Sequence, residues 1–182
     1  ERLGRGMDQF VVGHALDPKT TLGPLVDAEQ KARVQQYIDD AREAGLPVLH
    51  ENKLDLDPEL QGGFFVAPII FDVSDRDAAV WREEVFGPVL AVAEFEDDDD
   101  VVARDNDTTF GLANGVWTKD LSRAHLVAAE LESGTVWVNT YNMFDAAAPI
   151  GGFKLSGVGR ELGSASVHLY TRSKSVWINT AV

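Results

Sequence analysis

Glu84-Val85-Phe86-Gly87-Pro88 sets a carboxylate and an aromatic ring on either side of one apolar residue, ahead of a turn. A carboxylate accepts hydrogen bonds from both hydroxyls of a ribose, and a ring beside it can cover the face of a nicotinamide. Taken alone, the same residues also read as a surface acid and a core aromatic. A second stretch, residues 149–163, carries Gly151, Gly152, Gly157, Gly159 and Gly163 around Lys154 and the Arg160-Glu161 pair. Glycine admits positive φ and close backbone approach, so this run marks a loop whose shape matters. Just ahead of it stands a third motif, Gly134-Thr135-Val136-Trp137-Val138-Asn139. Other chemistries lack their groups. His14, His50, His125 and His168 show neither metal-ligand spacing nor a nucleophile–base pair. Ser156 and Ser164 have no accompanying base motif, and there is neither a phosphate loop nor a full dinucleotide glycine fingerprint. The chain has no cysteine, which excludes disulfides and thiolate metal sites. No catalytic residue and no metal ligand is therefore expected within it.

The 182 residues suffice for one domain with a real core, and 45% hydrophobic content marks a globular chain. A net charge of −14, from 30 acids against 16 bases, disfavours nucleic acid and anionic lipid as partners, since both need a basic footprint. The longest apolar runs, such as Val89–Ala93, fall far short of a membrane span. Asp97–Asp100 reads as a helix cap and not a cation site, because Ca²⁺ loops alternate ligands with spacers and a glycine. The opening Glu1-Arg2-Leu3-Gly4 has neither an initiator Met nor a signal-peptide pattern, and reads as the start of an excised piece.

These residues need a scaffold, and the pattern supplies one. Ala32, Val34, Tyr37, Ile38 and Ala41 recur at helical spacing between Asp27, a cap, and Gly45, a stop. Pro47–His50 and Phe64–Phe71 are strand-like, with Pro68 marking an edge or a break. Pro88–Phe95 is a buried-strand candidate and Asp98–Asn106 a helix; Asn114–Thr118 is a strand, Lys119–Ser133 a helix and Gly134–Asn139 a strand. Alternation of this kind predicts an α/β fold on a mainly parallel sheet. Asn106 and Asn139 are expected to bond local backbone. Arg160–Thr171 is predicted helical, and Lys174–Thr180 has strand composition with nothing after it to pair with, which predicts pairing with another subunit.

In this order and at these separations, the Glu83–Val89 segment, the Gly134–Asn139 segment and the glycine-rich loop resemble the C-terminal part of the NAD(P)-dependent aldehyde dehydrogenase superfamily. The likeness runs over nearly the whole chain. It implies a three-layer α/β catalytic domain, incomplete at the N-terminus, over residues 1–172, and an oligomerisation strand over residues 173–182. It implies NAD or NADP as cofactor, with Glu84 holding the nicotinamide ribose and Phe86 positioning the ring. Gln30 and Arg33 match positions near the adenosine half, although as exposed helix residues they also read as merely solvated. Tyr141, Met143, Phe144 and Ile150 match the lining of the family's aldehyde tunnel, although as residues they also read as core; many relatives have Phe at the place of Ile150. The run Asn142–Pro149 looks most like bacterial members acting on arylacetaldehydes, which implies a small, aromatic aldehyde.

In that family a cysteine adds to the aldehyde, an Asn and the Cys backbone N–H hold the oxyanion, hydride passes to NAD(P)⁺, and a Glu-activated water releases the acid. Both the cysteine motif and that Glu motif precede the region matched here. The resemblance therefore implies a C-terminal fragment of such an enzyme, inactive by itself, from a cytoplasmic homo-oligomer joined through its last strand. The alternatives are a non-catalytic interaction or oligomerisation module derived from that enzyme, and a related semialdehyde dehydrogenase.

Overall fold

The computed structural model describes residues 1–74 and 77–181, which fall into two units, Glu1–Glu94 and Phe95–Val182. In the first, a short α1 (Arg2–Met7) precedes α2 (Ala28–Glu43). Asp27 starts α2 as expected, its side chain accepting from the Gln30 backbone N–H, and Gly45 follows its end at φ +79°. The face carrying Val34, Ile38 and Ala41 is buried against Val66, Ile69, Phe71, Val73, Val80 and Val85. Each such side chain taken out of water contributes roughly 1.5–3 kcal/mol before the entropy of ordering it. Of these partners Ile69 and Phe71 lie on the central strand of a three-stranded sheet of β1 (Val48–Glu51), β2 (Ile69–Asp72) and β3 (Val89–Val92), with β2 central. β2 is antiparallel to β1 and parallel to β3, in the register Ile69 opposite Val89 through Asp72 opposite Val92. A one-turn α3 (Ala79–Arg82) leads into the turn before β3.

The second unit holds α4 (Asp98–Asn106), β4 (Phe110–Gly111), β5 (Ala113–Val116), α5 (Leu121–Glu130), β6 (Thr135–Val138) and β7 (Phe153–Lys154). The acidic run is a cap: the Asp97 side chain accepts from the Asp100 N–H. β5 and β6 run parallel, β4 and β7 antiparallel. Val102, Val127 and Leu131 form the core, with Val101, Val116 and Val136 against them.

The α/β class is as expected, and the sheets are mixed. Two local expectations are corrected. The strand read over Phe64–Phe71 is regular only at Ile69–Asp72, because Pro68 has no N–H to give a ladder; its carbonyl instead accepts from Asn52 N–H at 3.0 Å. The helix read over Arg160–Thr171 survives as a 3₁₀ segment at Ser164–Tyr170. Glu161 is bridged to Ile150, and Leu162 and Gly163 have φ of +57° and +58°, so no α-helix can start at Arg160. The terminal segment forms no ladder among the described residues: Val176, Trp177 and Ile178 are exposed, Trp177 at 95%. Extended chain becomes a strand only against an edge, and the edge expected for this segment belongs to a second copy. Among the described residues no helix is long and apolar enough to cross a membrane, and no group of three or more acids or histidines could hold a metal.

Candidate functional site

Gln30, Arg33 and Tyr37 are spaced three and four apart on α2, so they share one face of the helix. That face meets the turn ahead of β3. The Tyr37 hydroxyl donates to the Glu83 carboxylate at 2.6 Å, and the Gln30 amide nitrogen donates to the carbonyls of Val85 and Phe86, both at 3.1 Å. Val85 is buried in the core beside Val34. Gly87 lies so close to that same Val34 that an added Cβ would sit 2.6 and 2.8 Å from its two methyl carbons. The Pro88 carbonyl accepts from Ile69 N–H at 3.0 Å, joining the turn to the central strand.

Held at all these points, the turn presents Phe86 outward at φ +52°, with the residue 75% exposed. A left-handed backbone on a non-glycine residue costs about 1–2 kcal/mol, and it persists only where the surroundings enforce it. Burying the ring would ordinarily be favourable, so an aromatic held outside the core by a strained backbone is an outward-facing surface for a flat partner. Beside it the Glu84 carboxylate is exposed and makes no hydrogen bond or ion pair among the described residues. Its oxygens are open to a diol. Arg33 lies 6.0 Å over the Tyr37 ring. The Tyr37 oxygen, and after it the charges of Glu83 and Glu84, hold the Arg33 guanidinium above its ordinary pKa, so it is a fixed cation on this face. Glu84, Phe86, Gln30 and Arg33 thus converge on one side of the first unit. Tyr37 and Glu83 are additions that the sequence reading missed; the spacing of residues 30, 33 and 37 on one helix was the signal.

In the second unit, β6 is followed by Asn139 at φ +56°, whose side chain clamps Thr118: the amide donates to the Thr118 carbonyl at 2.8 Å and its oxygen accepts from the Thr118 N–H at 2.9 Å. This joins the ends of β5 and β6 and fixes where the following loop begins. The loop then packs by its rings. Tyr141 lies 5.1 Å from Trp137 and 6.4 Å from Trp117, and Phe144 meets Trp137 edge-on at 5.7 Å. Trp137 Nε1 donates to the Met143 carbonyl at 2.8 Å. A Cβ on Gly115 would meet Trp117 at 2.7 Å and Tyr141 at 3.2 Å, so its absence makes room for both rings. Tyr141, Met143 and Phe144 are brought together and stay exposed, forming an apolar, aromatic surface beyond the strand ends. Ile150 enters a different arrangement, the bridge with Glu161 at 2.8 and 2.7 Å. Trp117 and Trp137 were not named as site residues from the sequence.

The remaining motif residues hold the loops. Asn106 donates to the Glu130 carbonyl and accepts from Glu132 N–H. Arg160 donates to the carbonyls of Gly152 and Gly159 and lies 5.0 Å over the Phe153 ring, and Lys154 bonds the Asn106 carbonyl and pairs with Glu132. These charges within the glycine-rich loop are internal staples.

The model of the aldehyde dehydrogenase family matches residues 1–176. A betaine aldehyde dehydrogenase of Mesorhizobium japonicum is 44% identical over 183 residues, which cover 99% of this chain and 37% of that protein. Among solved structures, the NAD+ complex of an aldehyde dehydrogenase from Bacillus cereus is 40% identical with a TM-score of 0.89, covering 98% of this chain and 36% of the other. An indole-3-acetaldehyde dehydrogenase from P. syringae, solved with NAD+ and IAA, is also 40% identical with a TM-score of 0.89, covering 97% of this chain and 35% of the other. The chain therefore spans little more than a third of the length of the proteins it matches.

Proposed function

Because the chain belongs to the aldehyde dehydrogenase family, we propose that it is the C-terminal part of an NAD(P)-dependent enzyme that oxidises an aldehyde to a carboxylic acid. The overall change is aldehyde, water and NAD(P)⁺ to acid, NAD(P)H and a proton. The dinucleotide, when bound, supplies the hydride acceptor. The chain's own contribution is placement. Glu84 accepts from the ribose hydroxyls, the exposed face of Phe86 lies against the nicotinamide ring, and Gln30 and Arg33 complete that face. The observation that carries this reading is the outward, left-handed Phe86 beside an exposed Glu84 that makes no hydrogen bond or ion pair among the described residues.

On the second unit, Tyr141, Met143 and Phe144, with Ile150 further along the same loop, line the path of the aldehyde's tail; apolar walls with few polar groups suit that task. The rings over Trp137 favour an aldehyde with an aromatic body, in keeping with the indole-3-acetaldehyde relative. A second reading, betaine aldehyde, is favoured by the names of several relatives and by the attraction of aromatic faces for a quaternary ammonium. The nucleophilic cysteine comes from sequence upstream, so the 182-residue chain alone is inactive. The segment Lys174–Thr180 adds as a strand to a second copy; its exposed Val176, Trp177 and Ile178 support this. A cytoplasmic location rests on the resemblance alone.

The test is turnover. The full-length protein, given NAD⁺ and phenylacetaldehyde or betaine aldehyde, should form acid and NADH in equal amounts, and the 182-residue chain should form neither. Absence of NADH with both aldehydes and either dinucleotide would defeat the reading.

A further inference from the structure

Asn114-Gly115, in β5, is the one Asn-Gly pair of the chain, and the fold requires each half of it for a different reason. Gly115 leaves room for Trp117 and Tyr141, which a Cβ there would meet at 2.7 and 3.2 Å. Asn114 ties β5 to its neighbours: its amide nitrogen donates to Asp105 Oδ2 at 2.7 Å and to Ser133 Oγ at 3.3 Å. The Ser133 hydroxyl gives its own proton to the Thr135 carbonyl at 3.1 Å, so toward Asn114 it can only accept. An asparagine followed by glycine is also chemically labile. With no side chain on the next residue, that residue's backbone nitrogen can reach the Asn Cγ. The new N–C bond closes a cyclic imide as the side-chain nitrogen leaves as ammonia, carrying off the backbone proton. Water then opens the ring at either carbonyl, leaving Asp or isoaspartate. In the strand that approach is blocked. Strand side chains stand away from the backbone, and the two bonds hold the Asn114 amide toward Asp105 on α4 and Ser133 ahead of β6. Gly115 itself is exposed, so water is at hand once the amide is released.

We propose that Asn114-Gly115 is a deamidation site gated by the fold: native β5 protects it, opening of β5 exposes it, and the reaction then makes the unfolding permanent. The last step follows from what the product meets. A carboxyl at residue 114 sets acceptor against acceptor where the amide donated to Asp105, and Ser133 has no proton to spare. Burial already holds the Asp105 carboxyl above its ordinary pKa, so a second acid beside it is poorly accommodated. Isoaspartate adds a carbon to the main chain, which breaks the register that runs from Asn114 opposite Val136 to Val116 opposite Val138.

The test follows this one residue by mass spectrometry in the full-length protein. The protein is held in mildly alkaline buffer, native or in denaturing urea, and the peptide covering residues 105–119 is fragmented to separate Asn114 from Asn106. Conversion to Asp and isoaspartate should be at least about a hundredfold slower in the native protein than in urea, because only the opened fraction reacts. Asp105→Ala releases the amide and should raise the native rate about tenfold beyond any change in the hydrogen exchange of the same peptide, with the rate in urea unchanged. Ser133→Ala, which loses the longer bond, should raise it less, and it is read in the same way if the first variant does not fold. Gly115→Ala, compared only in urea so that its fold is not at issue, should slow the reaction. After dilution from urea, modified chains should collect in the aggregate and be depleted several-fold from the refolded fraction. Absence of conversion in urea overturns the site. Equal rates in native protein and in urea overturn its protection by the fold, and equal shares of modified chain in the refolded and aggregated fractions overturn the permanence.

Discussion

Gly87→Ala isolates the packing that holds the turn carrying Glu84 and Phe86. The backbone at Gly87 lies outside the positive-φ region, so alanine meets no conformational penalty and the whole cost is steric. The new methyl would stand 2.6 and 2.8 Å from the Val34 methyl carbons, against about 3.5 Å or more for comfortable carbon contact. Something must give by roughly 1 Å. Val34 cannot, since it is fully buried among Ile38, Ile69 and Phe71. The turn must lift instead, or the core must strain, at a cost of about 1–3 kcal/mol. Val34→Ala removes the two methyls in the way, and alone it costs a similar amount by leaving a cavity. Together the two changes should largely compensate. Thermal unfolding of the full-length protein should show each single variant melting several degrees lower, at about 2–4 °C per kcal/mol, and the double variant no lower than the worse single. Additive losses would refute the argument, because they would mean that Gly87 and Val34 do not share one space.

Trp137→Phe deletes the indole N–H that bonds the Met143 carbonyl while keeping a ring against Tyr141 and Phe144; kcat/KM for the aldehyde should fall roughly three- to tenfold with KM for NAD⁺ unchanged, and steady-state kinetics in both substrates decide it. Burial raises the Asp105 carboxyl above its ordinary value, outweighing the bond from Asn114 and the charge of Lys154. Protonation is thus more favourable in the fold than in the unfolded chain, and the stability it contributes is complete below the unfolded carboxylate range and lost as pH rises through the raised folded value. Asp105→Asn keeps an acceptor for Asn114, so it should raise the melting temperature more at about pH 7 than at about pH 4; the opposite trend would refute this. Deleting residues 174–182 from the full-length protein should lower its oligomeric mass by light scattering, and an unchanged assembly would return that segment to the chain's own fold.

Much of the frame was legible because its signals are local. Asp27 and Asp97 are each followed by helical periodicity, and a cap needs only the few residues it bonds. The proposed cofactor face rests on residue types, Glu84 and Phe86, that the sequence already offered through the resemblance of their motif. What could not be read was conformation. Nothing in a phenylalanine asks for positive φ, and the turn is imposed by Gln30, Tyr37 and Val34, some fifty residues away in sequence. The same limit hid the ring cluster: Trp117 follows β5, Trp137 stands on β6, and both meet Tyr141 only because β5 and β6 pair. The terminal segment shows the converse limit. Val176, Trp177 and Ile178 have the composition of a strand, but a strand also needs an edge, and composition carries no information about one.

The central claim is that Glu84 and Phe86 form the nicotinamide riboside face. Pre-steady-state hydride transfer in the full-length protein carrying Glu84→Gln tests it most directly. A carboxylate on an exposed turn does not build the core, so the variant should melt as the wild type does. Its single-turnover rate of NADH formation should fall by at least about tenfold, because a nicotinamide ring that is no longer held by its ribose spends less time in the reactive geometry. A wild-type transfer rate and an unchanged KM for NAD⁺ in a correctly folded Glu84→Gln protein would contradict the account.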